Sequence, residues 1–225
     1  MILAIDTSTQ WLSVALYDAT DEVFSSEKTW RSTRRHTIEL APAVAEMLQE
    51  AGVPIQDLET LAIALGPGSF TSLRIGLAFA KGMALANHIH LIGVPSLDIL
   101  AFSQPAAAIP LICVLQAGRD KLAACRYSYQ EQWIAEGDSF ILSPKELSEE
   151  ISEETIICGE MNAEERRIIS RKWKKVHLCS PAGSMRRAAF LAEIAAQRSM
   201  QGKFDDPMTL APIYLHTANP IPDVT

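Results

Sequence analysis

Between Ser69 and Ala86 the chain carries two charged residues, Arg74 and Lys81, seven apart. Everything else there is apolar, small or a hydroxyl, and the spacing predicts a long helix with Ser69 at its N-cap. Leu73, Leu77, Ala80 and Ala84 fall on one stripe. Ile75, Phe79, Gly82 and Leu85 fall on a second, and Gly76, Ala80 and Met83 on a third. A helix apolar nearly all round has to be covered on most of its circumference. A sheet covers one face, so the chain needs a sheet beside this helix and something further over it. The small residues Gly76, Ala80 and Ala84 allow a second helix to approach closely.

The flanking segments supply the sheet. Ile2–Ile5 is a short apolar run that stops at Asp6-Thr7-Ser8-Thr9, which reads as a buried strand entering a turn. Residues 12–17 alternate as a second strand, and residues 22–29 form a more polar third. From His36 the period becomes helical: Leu40, Val44, Met47 and Ala51 make one stripe, Ile38, Ala41, Ala45 and Leu48 another, and Gly52 ends the helix. Leu61–Leu65 and His90–Gly93 are buried strands on either side of the long helix, entered through the turn Gly66-Pro67-Gly68. The second half repeats the order. Strands are expected at 110–115, 122–129 and 133–142, and a helix opens at Ser143-Pro144. A strand at 155–158, a helix at 162–173, a strand at 176–178 and a final helix at 184–200 follow. Twice βββαβα is an α/β chain of two domains, expected at residues 1–103 and 104–225.

Charge excludes some roles. The net charge is −7, with six basic against eleven acidic residues in the first hundred, so no field suited to gripping a nucleic-acid backbone unaided is present. One basic cluster, Arg166, Arg167, Arg171, Lys172, Lys174 and Lys175, reads either as a solvated helix end or as a secondary RNA contact. Cys113, Cys125 and Cys158 lie in apolar strand-like runs and Cys179 has no C-x-x-C partner, so all four are expected to be free thiols in a reducing compartment. With no apolar run of membrane-spanning length and no basic, then apolar, leader, a cytoplasmic chain without a membrane span is expected.

A duplicated βββαβα unit whose first hairpin opens on Asp-x-[Gly/Ser]-Thr resembles the actin, hexokinase and heat-shock ATPase superfamily (ASKHA, ribonuclease H-like). Within it, Ile2–Thr9 with Ser13–Leu16, the helix opening at Arg35-His36, the run Leu65–Leu77 (Leu-Gly-Pro-Gly-Ser-Phe-Thr-Ser-Leu-Arg-Ile-Gly-Leu) and the terminal Pro212–Leu215 are similar to the bacterial TsaB family, also called YeaZ. The likeness is dense over residues 1–97 and thin from there to about 210. It implies a non-catalytic paralogue of TsaD, the protein that transfers threonylcarbamoyl to the adenosine beside the tRNA anticodon, with the ATPase TsaE as a further partner. It also implies that tRNA is met only through that complex, and that the chain is no enzyme in its own right.

The residues can be weighed against that implication. The Asp6–Thr9 turn could cradle a phosphate on its N–H groups, which makes Asp6, Thr7, Ser8 and Gly68 candidates for an ATP or ADP at the junction with the partner, with no cofactor intrinsic to the chain. An independent ATPase or kinase of this fold needs a second acidic turn, and the matching turn here is Gln116-Ala117-Gly118-Arg119, where an amide cannot serve as base. The Gly-Gly element for adenosine is reduced to Gly159 followed by Glu160. A metalloprotease would need the paralogue's His-x-x-x-His pair, for which this chain has Ser96 and Leu100. The expected functional feature is therefore a surface for the TsaD-like partner, and for a homodimer when alone. It is drawn on His36, Leu40, Val44 and Met47 of the first helix and Leu73, Arg74, Gly76, Leu77, Ala80, Lys81 and Ala84 of the second. On that reading Leu77→Glu should abolish pairing and leave the fold intact.

Overall fold

The structure is a computed structural model, and it describes residues 1–33, 35–118, 120–172 and 174–215. The chain divides into two compact units. The first unit takes Met1–Pro105 together with Met185–Ile213, and the second takes Ala106–Ser184 and resumes at Tyr214.

The first unit runs β1 (Ile2–Asp6), β2 (Trp11–Asp18), β3 (Val23–Arg31), α1 (His36–Ala51), β4 (Thr60–Ala64), α2 (Phe70–Asn87), β5 (His90–Val94) and α3 (Ser96–Phe102). The second runs β6 (Leu111–Gln116), β7 (Leu122–Gln130), β8 (Gln132–Ala135), β9 (Phe140–Leu142), α4 (Pro144–Glu150), β10 (Thr155–Gly159), α5 (Ala163–Ile169) and β11 (Val176–Leu178). The last helix, α6 (Ala188–Met200), follows it. The first sheet has the order β3-β2-β1-β4-β5 and the second β11-β10-β6-β7-β8, with β9 also on β7. In the first sheet β1, β2 and β3 pair antiparallel and β4 and β5 add in parallel; in the second β6, β7, β8 and β9 pair antiparallel and β10 and β11 add in parallel. The duplicated α/β plan is present, with one more helix, α3, in its first unit and with residues 133–142 divided between β8 and β9.

Pairing register sorts the first sheet's side chains. Leu3, Ile5, Leu12, Val14, Leu16, Leu61, Ile63 and Leu91 point to one face, where Leu40, Val44 and Met47 of α1 and Leu77, Ala80 and Ala84 of α2 close over them. The opposite face is built of Ile2, Ala4, Ala15, Ala62, Ala64, Ile92 and Val94. Every residue of β1 and β4 is buried, so both faces need a cover. Helix α6 supplies the second. Its Ala188, Ala192, Ala195 and Ala196 sit against the sheet's alanines, which lets the helix axis come close.

The division at residue 103 is therefore corrected. Helix α6 and the stretch to Ile213 belong to the first unit, where α6, beside Ile99 of α3, covers the face that α1 and α2 leave open. Two of its N-terminal N–H groups, on Ala188 and Ala189, donate to Ser13 Oγ at 2.8 Å and Glu27 Oε1 at 3.1 Å on the sheet. Beyond it, Asp205 N donates to Leu91 O at 2.8 Å, and Ile213 N to Leu65 O at 2.8 Å.

Candidate functional site

The apolar run Ile2–Ile5 ends at Asp6 because the hairpin to β2 has to turn there, and the side chains of that turn are engaged within the first unit. Ser8 N donates to Asp6 Oδ1 at 2.8 Å. Thr7 Oγ1 donates to the carbonyl of Ser72 at 2.9 Å, and Ser8 Oγ meets Ser96 Oγ at 2.6 Å. Ser69 N donates to Ser8 O at 2.7 Å. Gly68 lies so close to this turn that a Cβ there would stand 2.2 Å from Ser8 O, and a Cβ on Gly76 would stand 2.2 Å from Thr7 Oγ1. Gly68 and Gly76 bring α2 and its entry turn, with a cis Gly66–Pro67 bond, against the first hairpin.

The residue that decides the chemistry is Arg186. It precedes α6, is 2% exposed, and its Nε donates to Asp6 Oδ2 at 2.9 Å. A second guanidinium nitrogen donates to Thr9 Oγ1 at 3.1 Å. Asp6 itself is 1% exposed, Thr7 and Ser8 0%. The candidate anion cradle of Asp6, Thr7, Ser8 and Gly68 is thus corrected: the Ser8 N–H and the Thr7 hydroxyl bond within the chain, and the Asp6 carboxylate faces a buried guanidinium. A carboxylate in a bond of this kind is neutralised by the protein itself. No periodicity announces Arg186, and only the return of α6 to the first sheet brings it to Asp6, 180 residues earlier.

At the equivalent position of the second unit, the last residue of its first strand, Gln116 Nε2 donates to Glu165 Oε2 at 3.3 Å. Arg119 lies outside the described residues. Ser96 Oγ accepts from Gly66 N at 3.1 Å, and Ser96 N donates to Gly66 O at 2.7 Å. Leu100 is 0% exposed in the core. Among the described residues no group of three or more His, Cys, Asp or Glu could hold a metal ion.

The surface drawn on α1 and α2 is corrected as well. His36, Leu40, Val44, Met47, Leu73, Gly76, Leu77, Ala80 and Ala84 are all buried inside the unit. His36 Nε2 lies 3.0 Å from Thr9 O, a contact at the helix start. Amphipathic spacing finds the stripe that packs but does not say against what, and here the unit's own sheet takes it. Leu77→Glu would therefore strike the core. Of the residues expected at the surface, Arg74 and Lys81 stay at the water side, with the Arg74 guanidinium 3.7 Å from the Phe70 ring centroid. The outward face of the two helices carries Ile38, 60% exposed, and Leu85 and Phe70, each 53% exposed. Ala41, Ala78 and Gly82 are exposed beside them. Both helices pack on the same face of the sheet, so these outward stripes point the same way.

In the basic cluster, Lys172 Nζ donates to Glu149 O and Ile151 O at 3.3 and 3.2 Å, and Lys175 Nζ to Ser152 O, where they hold the segment that leaves α4. No helix among the described residues is long and apolar enough to cross a membrane.

Residues 27–198 match the family model described as TsaD, tRNA N6-adenosine threonylcarbamoyltransferase. The tRNA threonylcarbamoyladenosine biosynthesis protein TsaB of Escherichia coli is 32% identical over 165 residues, 70% of either chain. The chain belongs to the TsaB (YeaZ) family. The Bacillus subtilis TsaB is 39% identical over 100 residues, 44% of this chain and 43% of its own. Among solved structures, YeaZ from Pseudomonas aeruginosa superposes with a TM-score of 0.76 at 23% identity, covering 95% of this chain and 99% of its own. A chain of the PilM-PilN type IV pilus biogenesis complex follows the same path more distantly, with a TM-score of 0.51 at 7% identity. The fold is that of YeaZ, and the family works in tRNA threonylcarbamoyladenosine biosynthesis.

Proposed function

We propose that this chain is a non-catalytic subunit in the synthesis of N6-threonylcarbamoyladenosine beside the tRNA anticodon, a cytoplasmic protein that pairs with and activates a TsaD-like catalytic paralogue. The observation that carries this reading is the buried Arg186–Asp6 pair. An ATPase of this fold needs its first-hairpin carboxylate open to a metal and its nucleotide. Here a fixed cation from the same chain holds it, and the second unit offers Gln116 in the equivalent turn. The chain then holds no nucleotide by itself, and any ATP or ADP at the junction rests on groups of the partner.

Pairing runs through the outward face of α1 and α2, with Ile38, Phe70, Ala78 and Leu85 at its centre and Arg74 and Lys81 at its rim. Three large apolar side chains more than half exposed on two parallel-facing helices make a patch suited to a helical interface. Alone, the same face joins two copies of the chain; a TsaE-like ATPase joins the assembly with TsaD, and tRNA is met through the complex.

The test is co-elution. An equimolar mixture with the TsaD-like paralogue should elute as one complex, and Leu85→Glu should separate the two while its far-ultraviolet spectrum and melting temperature stay those of the native chain. Separate elution of the native proteins would overturn the reading. So would Mg²⁺-dependent ATP turnover by the purified chain that Asp6→Asn removes, which would make it an ATPase in its own right.

A further inference from the structure

Across the second sheet the register places Cys125 opposite Cys113, and Cys113 opposite Cys158. The row continues. β10 and β11 pair in parallel with Ile157 opposite Leu178, and Cys179 N donates to Ile157 O at 2.9 Å, so the next opposed pair is Cys158 and Cys179. All four thiols of the protein therefore lie in one cross-strand row. The members differ in surroundings. Cys113, Cys125 and Cys158 are buried at 0%, 3% and 0% exposure, as small hydrophobes in a sheet should be, whereas Cys179 is partly exposed.

We propose that Cys179 and Cys158 form a peroxide-sensitive dithiol, with Cys179 as the attacking thiolate and Cys158 as the resolving thiol. Opposed residues on neighbouring strands stand about 4.8 Å apart at Cα, inside the range of about 4.4–6.8 Å that a disulfide spans without backbone movement. The register puts the two side chains on the same side of the sheet, facing each other across β10 and β11. A hydrogen bond between the two thiols, and then the positive charge of Arg166, whose guanidinium also donates to Cys179 O at 2.7 Å, bring the Cys179 thiol down to about 7. The same bond, together with burial, pushes the Cys158 thiol up, so the thiolate forms on the exposed partner. Behind it, Cys158 is covered by the loop after β11, its sulfur 3.4 Å from Gly183 O and 3.8 Å from Ser184 Oγ. A small oxidant reaches Cys179 first.

The chemistry runs in two steps. The Cys179 thiolate attacks hydrogen peroxide, the O–O bond breaks, and hydroxide leaves a sulfenic acid on Cys179. Cys158 then attacks that sulfur, its proton leaves with the departing hydroxyl as water, and an S–S bond closes between β10 and β11. A reducing thiol reverses it.

Mass spectrometry of the full chain tests this. Brief treatment with hydrogen peroxide should leave a product lighter by two hydrogen atoms, reduce the free thiols from four to two, and yield a non-reduced peptide joining Cys158 to Cys179 that dithiothreitol separates. In Cys158→Ala the sulfenic acid on Cys179 should persist and be trapped by dimedone. In Cys179→Ser the three remaining thiols should survive. Retention of four thiols, a cross-link between any other pair, or conversion of Cys179 to sulfinic acid without a cross-link would each overturn the proposal. The native protein's peptide map decides this even where the Cys158 variant does not fold.

Discussion

Replacing Arg186 by methionine keeps most of its volume and removes its charge. The consequence follows from how deeply the pair is set, with Asp6 at 1% and Arg186 at 2% exposure and Arg186 Nε 2.9 Å from Asp6 Oδ2. Without the guanidinium, Asp6 Oδ2 loses its charged partner and Thr9 Oγ1 loses a donor. Removing one member of a buried ion pair costs about 3–5 kcal/mol. For a chain of this size 1 kcal/mol moves the melting temperature by about 2–4 °C, so Arg186→Met should melt about 6–20 °C below the native protein at neutral pH. The double variant Asp6→Asn with Arg186→Met restores a pair of neutral groups and should recover more than half of the loss, because removing both charges avoids the stranded one. Thermal unfolding followed by circular dichroism, with all four members of the cycle, measures this. If Arg186→Met melts within about 1 °C of the native chain, or the double variant loses the sum of the two single losses, Asp6 is not held by a buried cation, and the argument for a closed first hairpin falls.

Other outcomes follow from the same packing. Gly76→Ala gains helix propensity but drives a methyl to 2.2 Å from Thr7 Oγ1 at a side chain with no room to move, so urea unfolding should show a net loss of about 1–3 kcal/mol. Leu77→Ala should cost about 2–5 kcal/mol as a core truncation, whereas Leu85→Ala on the outward face should change stability by less than about 0.5 kcal/mol. Glu146 closes the capping box of α4, and its bond from the Ser143 N–H, with help from the Ser143 side chain and Lys121, holds its carboxyl at about 2 against an ordinary 4.5. Its contribution is therefore complete above pH 4.5 and lost as pH falls toward 2. The stability difference between the native protein and Glu146→Gln, from urea titrations across that window, should shrink with acidification and vanish at its lower end.

Much of the fold was legible because its signals are local. The apolar run of β1, the helical period from His36, the αL glycine at Gly52 and the Ser143-Pro144 helix start all appear where the residue pattern puts them. The same pattern found the correct apolar stripes on α1 and α2 and assigned them to the wrong neighbour. Leu40, Val44, Leu73 and Leu77 show the period of a buried face, and that period is the same whether the cover comes from the unit's own sheet or from another protein. The absence of a carboxylate at Gln116 and of an imidazole at Ser96 and Leu100 was equally plain, since identity at a position needs no tertiary information. Arg186 was not. A single arginine before a helix of alanines carries no periodicity and no spacing to Asp6.

The sequence by itself thus determined the α/β class, most of the element order (α3 and the division of residues 133–142 into β8 and β9 apart) and the residue types missing from the two hairpin turns, because each depends on neighbours within a few positions. Only the tertiary structure decided that α6 returns to the first sheet, that Arg186 thereby meets Asp6, that Ile38, Phe70 and Leu85 are the outward face, and that Cys158 stands beside Cys179. Each of these joins residues far apart in the chain, through sheet register and the need to bury a second apolar face.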